Sequence, residues 1–384
     1  MSKVLHVNTF GQKRGGAENY IRESAAALSA FDHALLFLRD PNPAYLGAFS
    51  ASHQTLSFSA PDSADFLRRF SPDLIILHNH PGQTIAPFLQ GRSASRKPVA
   101  KVFHDYAMIY TGTGYNRLTL RRSRDPAGWR SLCGALTRDA FTRRFVFDNP
   151  WRKKRLLSEI DAVDAVETHT HDMRRTLQRN GIRRPRFFLN PVWGPVLERE
   201  TPVPKPAREE RTFVFLGNLI RGKGLHLLLR VLRRVPRPWR LRVLGDGYQR
   251  ASLESYARRH RLPVEFLGHV PKSETGAQLE RAQFLAAPSV FEPFGYVLVE
   301  AMAHGLPVLA FDAGGPSEII VEGETGFLVR PFDLDAFAVC IERLLADPGL
   351  CRSMGEKGRA RMREHYTLDA HMERTRLMFR ELGL

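Results

Sequence analysis

Residues 287–307 read APSVFEPFGYVLVEAMAHGLP, and the fold of the chain follows from how they are parsed. Ala287-Pro288-Ser289 closes an apolar run, so a buried strand ends there, and Glu292-Pro293-Phe294-Gly295 forms a turn. Tyr296 to His304 has helical composition, with Gly305 as its stop and Pro307 blocking continuation. A strand, a tight glycine turn and a helix are one repeat of an α/β sheet. The first N–H groups of such a helix carry a partial positive charge, and a glycine lets a ligand approach the backbone closely. An anion, above all a phosphate, therefore suits that end. Glu292 before the turn and Glu300 inside the helix cannot hold a phosphate themselves; they are suited to accept hydrogen bonds from hydroxyls on either side of it. A surface helix that carries two glutamates for solubility is the bland alternative.

Phosphate in the middle with hydroxyls at both ends describes a nucleotide sugar, and the remaining chain repeats the same construction. Lys3 to Asn8 (KVLHVN) is a first parallel strand, followed by a loop with Gly11, Gly15 and Gly16 and a helical pattern from Asn19 to Ser29. That glycine spacing is not GxGxxG, which argues against a bound NAD. Further strands are expected at His33–Leu38, Leu74–Leu77, Pro98–Phe103 and Ala162–Glu167, with basic helices over Ala135–Leu157 and Asp172–Asn180. His78, His80, His104 and Asp105 follow strands, where ligands of α/β sheets sit. His104 is read as a substrate contact, His169 and His171 as structural or exposed. A His78-x-His80 pair without further ligands at suitable spacing does not make a metal site, and no DxD-like dyad is placed to hold a divalent ion. Residues 111–125 have the composition of a functional loop.

Asn190 to Pro195 and the proline-rich, charged Thr201–Glu210 mark the linker. The second half restarts with the strand Thr212–Leu216, the loop Gly217-Asn218-Leu219-Ile220-Arg221-Gly222-Lys223-Gly224 and the helix Leu225–Val235. Cations in that loop would face a diphosphate. Strands at Leu241–Leu244, Val264–Leu267, Phe284–Ala287, Pro307–Phe311 and Thr325–Val329 follow, with a short helix from Ser273 as N-cap and basic helices to the end. The expected organisation is residues 1–190, a linker over 191–210, a second domain over 211–366, and a terminal helix near 367–384 that packs back on the first.

Composition bounds the rest. A chain of 384 residues, 43% hydrophobic and 25% charged, is a globular protein too long for one typical core. The N-terminus has no leader pattern and no apolar run reaches a membrane span, which points to the cytoplasm. Three cysteines without CxxC spacing imply neither a disulfide framework nor zinc. The net charge is +17, and Arg117–Arg186 alone holds 18 Lys plus Arg against 8 Asp plus Glu. Something anionic is the expected partner there, with the inner face of a membrane or a phosphorylated acceptor as candidates and a solvated face as the alternative. Nucleic acid is disfavoured, because no matching motif accompanies the charge.

With these residues assembled, the chain resembles the retaining glycosyltransferases of family 4. Glu292 and Glu300 in EPFGYVLVE match the family's E-x7-E signature, Gly15-Gly16-Ala17-Glu18 its GGxE loop, and His104-Asp105 its HD pair. Residues 217–224 are similar to its phosphate loop and 314–318 to its GGxxE turn. The resemblance implies a GT-B fold, α/β with two Rossmann-like, doubly wound parallel-sheet domains facing across a cleft. It implies that Glu292 meets donor-sugar hydroxyls and Glu300 the ribose. The amides of Phe294, Gly295 and Tyr296 would meet the diphosphate, Lys223 would neutralise it, Gly16 would sit beside it, and the base would rest near Gly268, His269 and Val270. Where the family has arginine this chain has Asn218, and Arg221 is expected to supply the missing charge. The implied activity is retaining, metal-independent hexosyl transfer (EC 2.4 class) without a cofactor, from a nucleotide sugar, UDP-linked in preference to GDP-linked, to a glycan or lipid-linked acceptor. Bacterial surface polysaccharide or lipopolysaccharide synthesis is the expected setting. A GT-B epimerase or phosphorylase, or a non-catalytic nucleotide-sugar binder, are the alternatives.

Overall fold

A computed structural model of the chain describes residues 1–11, 16–79, 84–89, 97–104, 136–138, 145–147, 150–194 and 209–384. The chain divides into two compact units. Unit 1 comprises Met1–Thr137, Phe145–Pro191 and Asp369–Leu384; unit 2 comprises Arg138–Arg144 and Val192–Leu368.

Unit 1 is built on β1 (Lys3–Phe10), β2 (Asp32–Arg39), β3 (Ala51–Gln54), β4 (Leu74–Leu77) and β5 (Val99–Phe103). After the short pair β6 (Leu136–Arg138) and β7 (Phe145–Phe147), β8 (Ala165–Thr168) and β9 (Arg186–Leu189) complete it. Seven of these form one sheet in the order β3-β2-β1-β4-β5-β8-β9, and the pairings are parallel. Strands covered on both faces read as continuous apolar runs, as in the fully buried LIIL of β4. The edge strands differ: β3 (ASHQ) is half-buried in alternation and β9 begins at an exposed arginine, so neither announces itself as an apolar run. The expected helix over Ala135–Leu157 is corrected. FVF, aromatic and β-branched, forms β7, and the helix begins at Pro150, whose fixed φ suits a first turn, and runs to Ile160.

Unit 2 carries β10 (Thr212–Leu216), β11 (Arg240–Leu244), β12 (Val264–Gly268), β13 (Leu285–Ala287), β14 (Val308–Phe311) and β15 (Gly326–Val329), parallel in the order β12-β11-β10-β13-β14-β15. Phe213 and Phe284 stack at 4.7 Å in its core. The helix expected to be capped by Ser273 starts one residue earlier, at Lys272 after Pro271, and has no side-chain cap.

In each sheet the direction of winding reverses beside the first strand. The crevice lies between β1 and β4 in unit 1 and between β10 and β13 in unit 2, and loops at the carboxyl ends of those strands are where α/β sheets hold ligands.

Candidate functional site

The unit 2 crevice is assembled from three loops, those following β10, β13 and β14. The first closes with a 3-10 turn, Arg221–Lys223, and Gly224 at φ +75° hands the chain to the helix Leu225–Leu232. A Cβ at Gly224 would lie 1.9 Å from the Pro288 carbonyl oxygen, so the β10 and β13 loops pack main chain to main chain only because this residue is glycine. Val290 N–H donates to the Gly222 carbonyl at 3.0 Å and fixes the contact. The third loop is held likewise: Glu292 N–H donates to Ala313 O at 3.2 Å and Gly315 N–H to Glu292 O at 2.8 Å. The side chain that projects from this stitched backbone is Glu292, 9% exposed, and Lys223 Nζ bonds its Oε2 at 2.6 Å. The two residues stand 69 positions apart, and only the loop packing brings them together.

Gly295, at φ +108°, opens the helix Tyr296–Ala303, and no side chain caps it; the helix Leu225–Leu232 also starts without a side-chain cap. Both helix starts follow central strands of the sheet, and Phe294, Gly295 and Tyr296, the expected diphosphate contacts, lie at the second of them. Glu300 is half-buried farther along the helix. Burial pushes its carboxyl above the usual range, and the charge of Lys272 opposes that shift. Gly268 ends β12 and its carbonyl accepts from Gly245 N–H at 2.7 Å, while His269 is exposed.

Asn218 and Arg221 are exposed on the β10 loop, and the Arg221 backbone N–H donates to Tyr248 Oη at 3.2 Å. The neighbouring His226 is held down to about 4, by burial first and then by the charges of Arg221 and Arg230, so it is neutral near pH 7. Lys223 is the cation of this loop that touches Glu292; Arg221 makes its recorded contact through the main chain. Sequence reading had passed over Tyr248 and Lys272. No residue spacing links them to the loops they serve.

In unit 1, Gly16 opens the helix Gly16–Ala27, and His104 follows β5, half-buried against the Tyr20 ring at 4.9 Å. His169 is buried, 2% exposed, and belongs to the same cluster. Gly15, His80, Asp105, the 111–125 loop and most of the linker lie outside the described residues. Among the described residues no group of three or more His, Cys, Asp or Glu is arranged to hold a metal ion, and no helix is long and apolar enough to cross a membrane.

Two doubly wound parallel sheets, the second with a lysine–glutamate pair and uncapped helix starts at its switch point, define a GT-B chain. Residues 198–361 match the family model described as Glycosyl transferases group 1, and the chain carries a domain of that family. It is 33% identical over 168 residues to a glycogen synthase of Mycobacterium tuberculosis, covering 41% of each chain. It is 33% identical over 149 residues to the lipopolysaccharide core biosynthesis glycosyltransferase LpsE of Rhizobium meliloti, covering 37% of this chain and 42% of that one. The chain thus spans under half the length of these curated relatives. In structure it is similar to Anabaena Alr3699/HepE, solved in complex with UDP-glucose, with a TM-score of 0.70 at 20% identity over 99% of this chain and 100% of that one. At that identity the likeness concerns the fold.

Proposed function

We propose that the chain is a retaining glycosyltransferase that moves a sugar from a nucleotide-sugar donor to a glycan or lipid-linked acceptor. The observation that carries this reading is the Lys223–Glu292 pair, set between two uncapped helix starts at the switch point of the unit 2 sheet. A diphosphate on those helix ends would draw Lys223 to itself, and Glu292 would then accept hydrogen bonds from donor-sugar hydroxyls. Glu300, whose carboxyl burial pushes above the usual range, would bond a ribose hydroxyl. The name of LpsE supports a surface-polysaccharide acceptor, and the ligand of HepE supports a uridine donor.

In this reading no carboxylate is assigned beneath the anomeric carbon, so front-face attack is favoured over double displacement. The bond from the anomeric carbon to the diphosphate oxygen breaks, and the acceptor oxygen bonds to the same face of that carbon. The acceptor's proton passes to the departing diphosphate, while Lys223, Arg221 and the helix ends hold the developing charge. The test is incubation of the full chain with UDP- and GDP-sugars and a panel of glycan acceptors, with the anomeric configuration of any product read by NMR. Retained configuration supports the proposal. An inverted product overturns the mechanism, and donor binding without transfer to any acceptor supports a non-catalytic binder instead.

A further inference from the structure

Five histidines in unit 1 form one hydrogen-bonded row across the sheet. His33 lies on β2, His6 on β1, and His78, His104 and His169 directly follow β4, β5 and β8, so five neighbouring strands each supply one ring. His33 Nδ1 meets His6 Nε2 at 3.0 Å, His6 Nδ1 meets His78 Nε2 at 3.0 Å, and His78 Nδ1 meets His104 Nε2 at 3.1 Å. His104 Nδ1 meets His169 Nε2 at 3.4 Å. Ring centroids repeat every 5.2 to 5.4 Å, close to the roughly 4.8 Å spacing of adjacent strands, so the sheet itself sets the rings one hydrogen bond apart. Both ends stop at backbone carbonyls, His33 Nε2 at Leu28 O (3.1 Å) and His169 Nδ1 at Asn190 O (2.8 Å).

A carbonyl can only accept, and each ring-to-ring link needs one hydrogen. Four links and two ends require six ring hydrogens, whereas five neutral imidazoles carry five. With every ring neutral, one of the six positions must set two lone pairs against each other in a buried place, at a cost of about 1–3 kcal/mol. Because each ring can exchange its tautomer, that vacancy can sit at any of the six.

Several groups around the row bias it. Burial of the rings favours neutrality. So does the buried Lys101 on β5, whose ammonium bonds the carbonyls of His78 and Val102. Glu167 on β8 favours a positive row only where it is ionised, because burial pushes its carboxyl up to about 7; it accepts from Tyr20 Oη and from Asn190 Nδ2, and the Tyr20 ring lies 4.9 to 6.1 Å from His78, His104 and His169. Asp32 beside His33 acts in the same sense, and Glu18 bonds Asn8 on β1. His371 and Arg374, on the terminal helix, stand beyond Tyr20 and Asn190.

We infer that the row is a binding site for a single proton, shared by five rings, which completes its hydrogen bonds and enters by way of His104, the half-buried member. An anion bound beside His104 would strengthen proton uptake, and proton uptake would strengthen anion binding by the same factor.

The test uses the full chain without donor, labelled with 15N-histidine, followed by NMR from pH 9 to pH 4.5 together with potentiometric titration. The expected result is one shared transition in all five rings, with wild type taking up one proton more than His33→Phe over that range. His33→Phe leaves four rings needing four hydrogens and abolishes the step. His33→Gln supplies both an acceptor and a donor, keeps the mismatch and keeps the step. Separate transitions for the five rings, no transition across the range, or equal behaviour of the two His33 variants would each overturn the inference.

Discussion

Replacing Lys223 with alanine leaves Glu292, 9% exposed, without the ammonium that lies 2.6 Å from its Oε2. At that distance the bare attraction is about 6 kcal/mol for an effective dielectric near 20, most of it offset by the cost of drying both groups. Breaking a fully buried pair costs about 3–5 kcal/mol and an exposed one under about 1. Lys223 is 27% exposed, so the change falls between those limits, at roughly 2 kcal/mol. For a unit of this size that lowers the melting temperature by about 4–8 °C. Glu292→Gln removes the stranded charge, so the double variant is expected to recover part of the loss. The assay is a double-mutant cycle of urea or thermal unfolding on wild type, Lys223→Ala, Glu292→Gln and the pair. A coupling energy below about 0.5 kcal/mol would mean that the two side chains act independently, and the reasoning would fail.

Gly224→Ala puts a methyl group 1.9 Å from Pro288 O on a backbone at φ +75°, so a loss of about 2 kcal/mol or more and weaker donor binding are expected; an unchanged melting curve would contradict this. Arg221→Ala is expected to slow transfer about tenfold while leaving the fold intact, and turnover equal to wild type would make Arg221 a bystander. Transfer is expected to persist in EDTA, and a strict requirement for added manganese or magnesium would refute that. The pH profile of stability has two opposed edges in unit 1. Burial holds His371 down to about 3, so its contribution is present above about 6.5 and is lost as pH falls toward 3. Burial raises Glu167 to about 7, so its contribution is present below about 4.5 and fades as pH rises through 7. Melting temperatures from pH 4 to 8 should therefore pass through a maximum, and Glu167→Gln should flatten the alkaline side.

The central strands were legible because a sheet covered on both faces demands unbroken apolar runs, and LIIL and TFVFL are such runs. The edge strands ASHQ and RFFL bury little, so the same signal was missing. Glu292, Glu300, Lys223 and the glycine turns could be picked out because local chemistry placed them next to strand ends. Which cation meets Glu292 could not be read in this way, since Arg221 and Lys223 sit two residues apart and the packing at Gly224 selects between them. The histidine row was least legible: its links join residues 27, 72, 26 and 65 positions apart, and only the strand order brings them into line.

The segment Asp369–Leu384 belongs to unit 1, where Asn190 bonds Thr375, His371 bonds Pro191 O, and Phe379 packs on Phe31. During translation unit 1 therefore gains these contacts only after the whole of Val192–Leu368 in unit 2 has been made. A nascent chain paused before residue 371 would expose the apolar seat of Phe379 at Phe31, which makes chaperone occupancy at that stage a direct outcome of the topology.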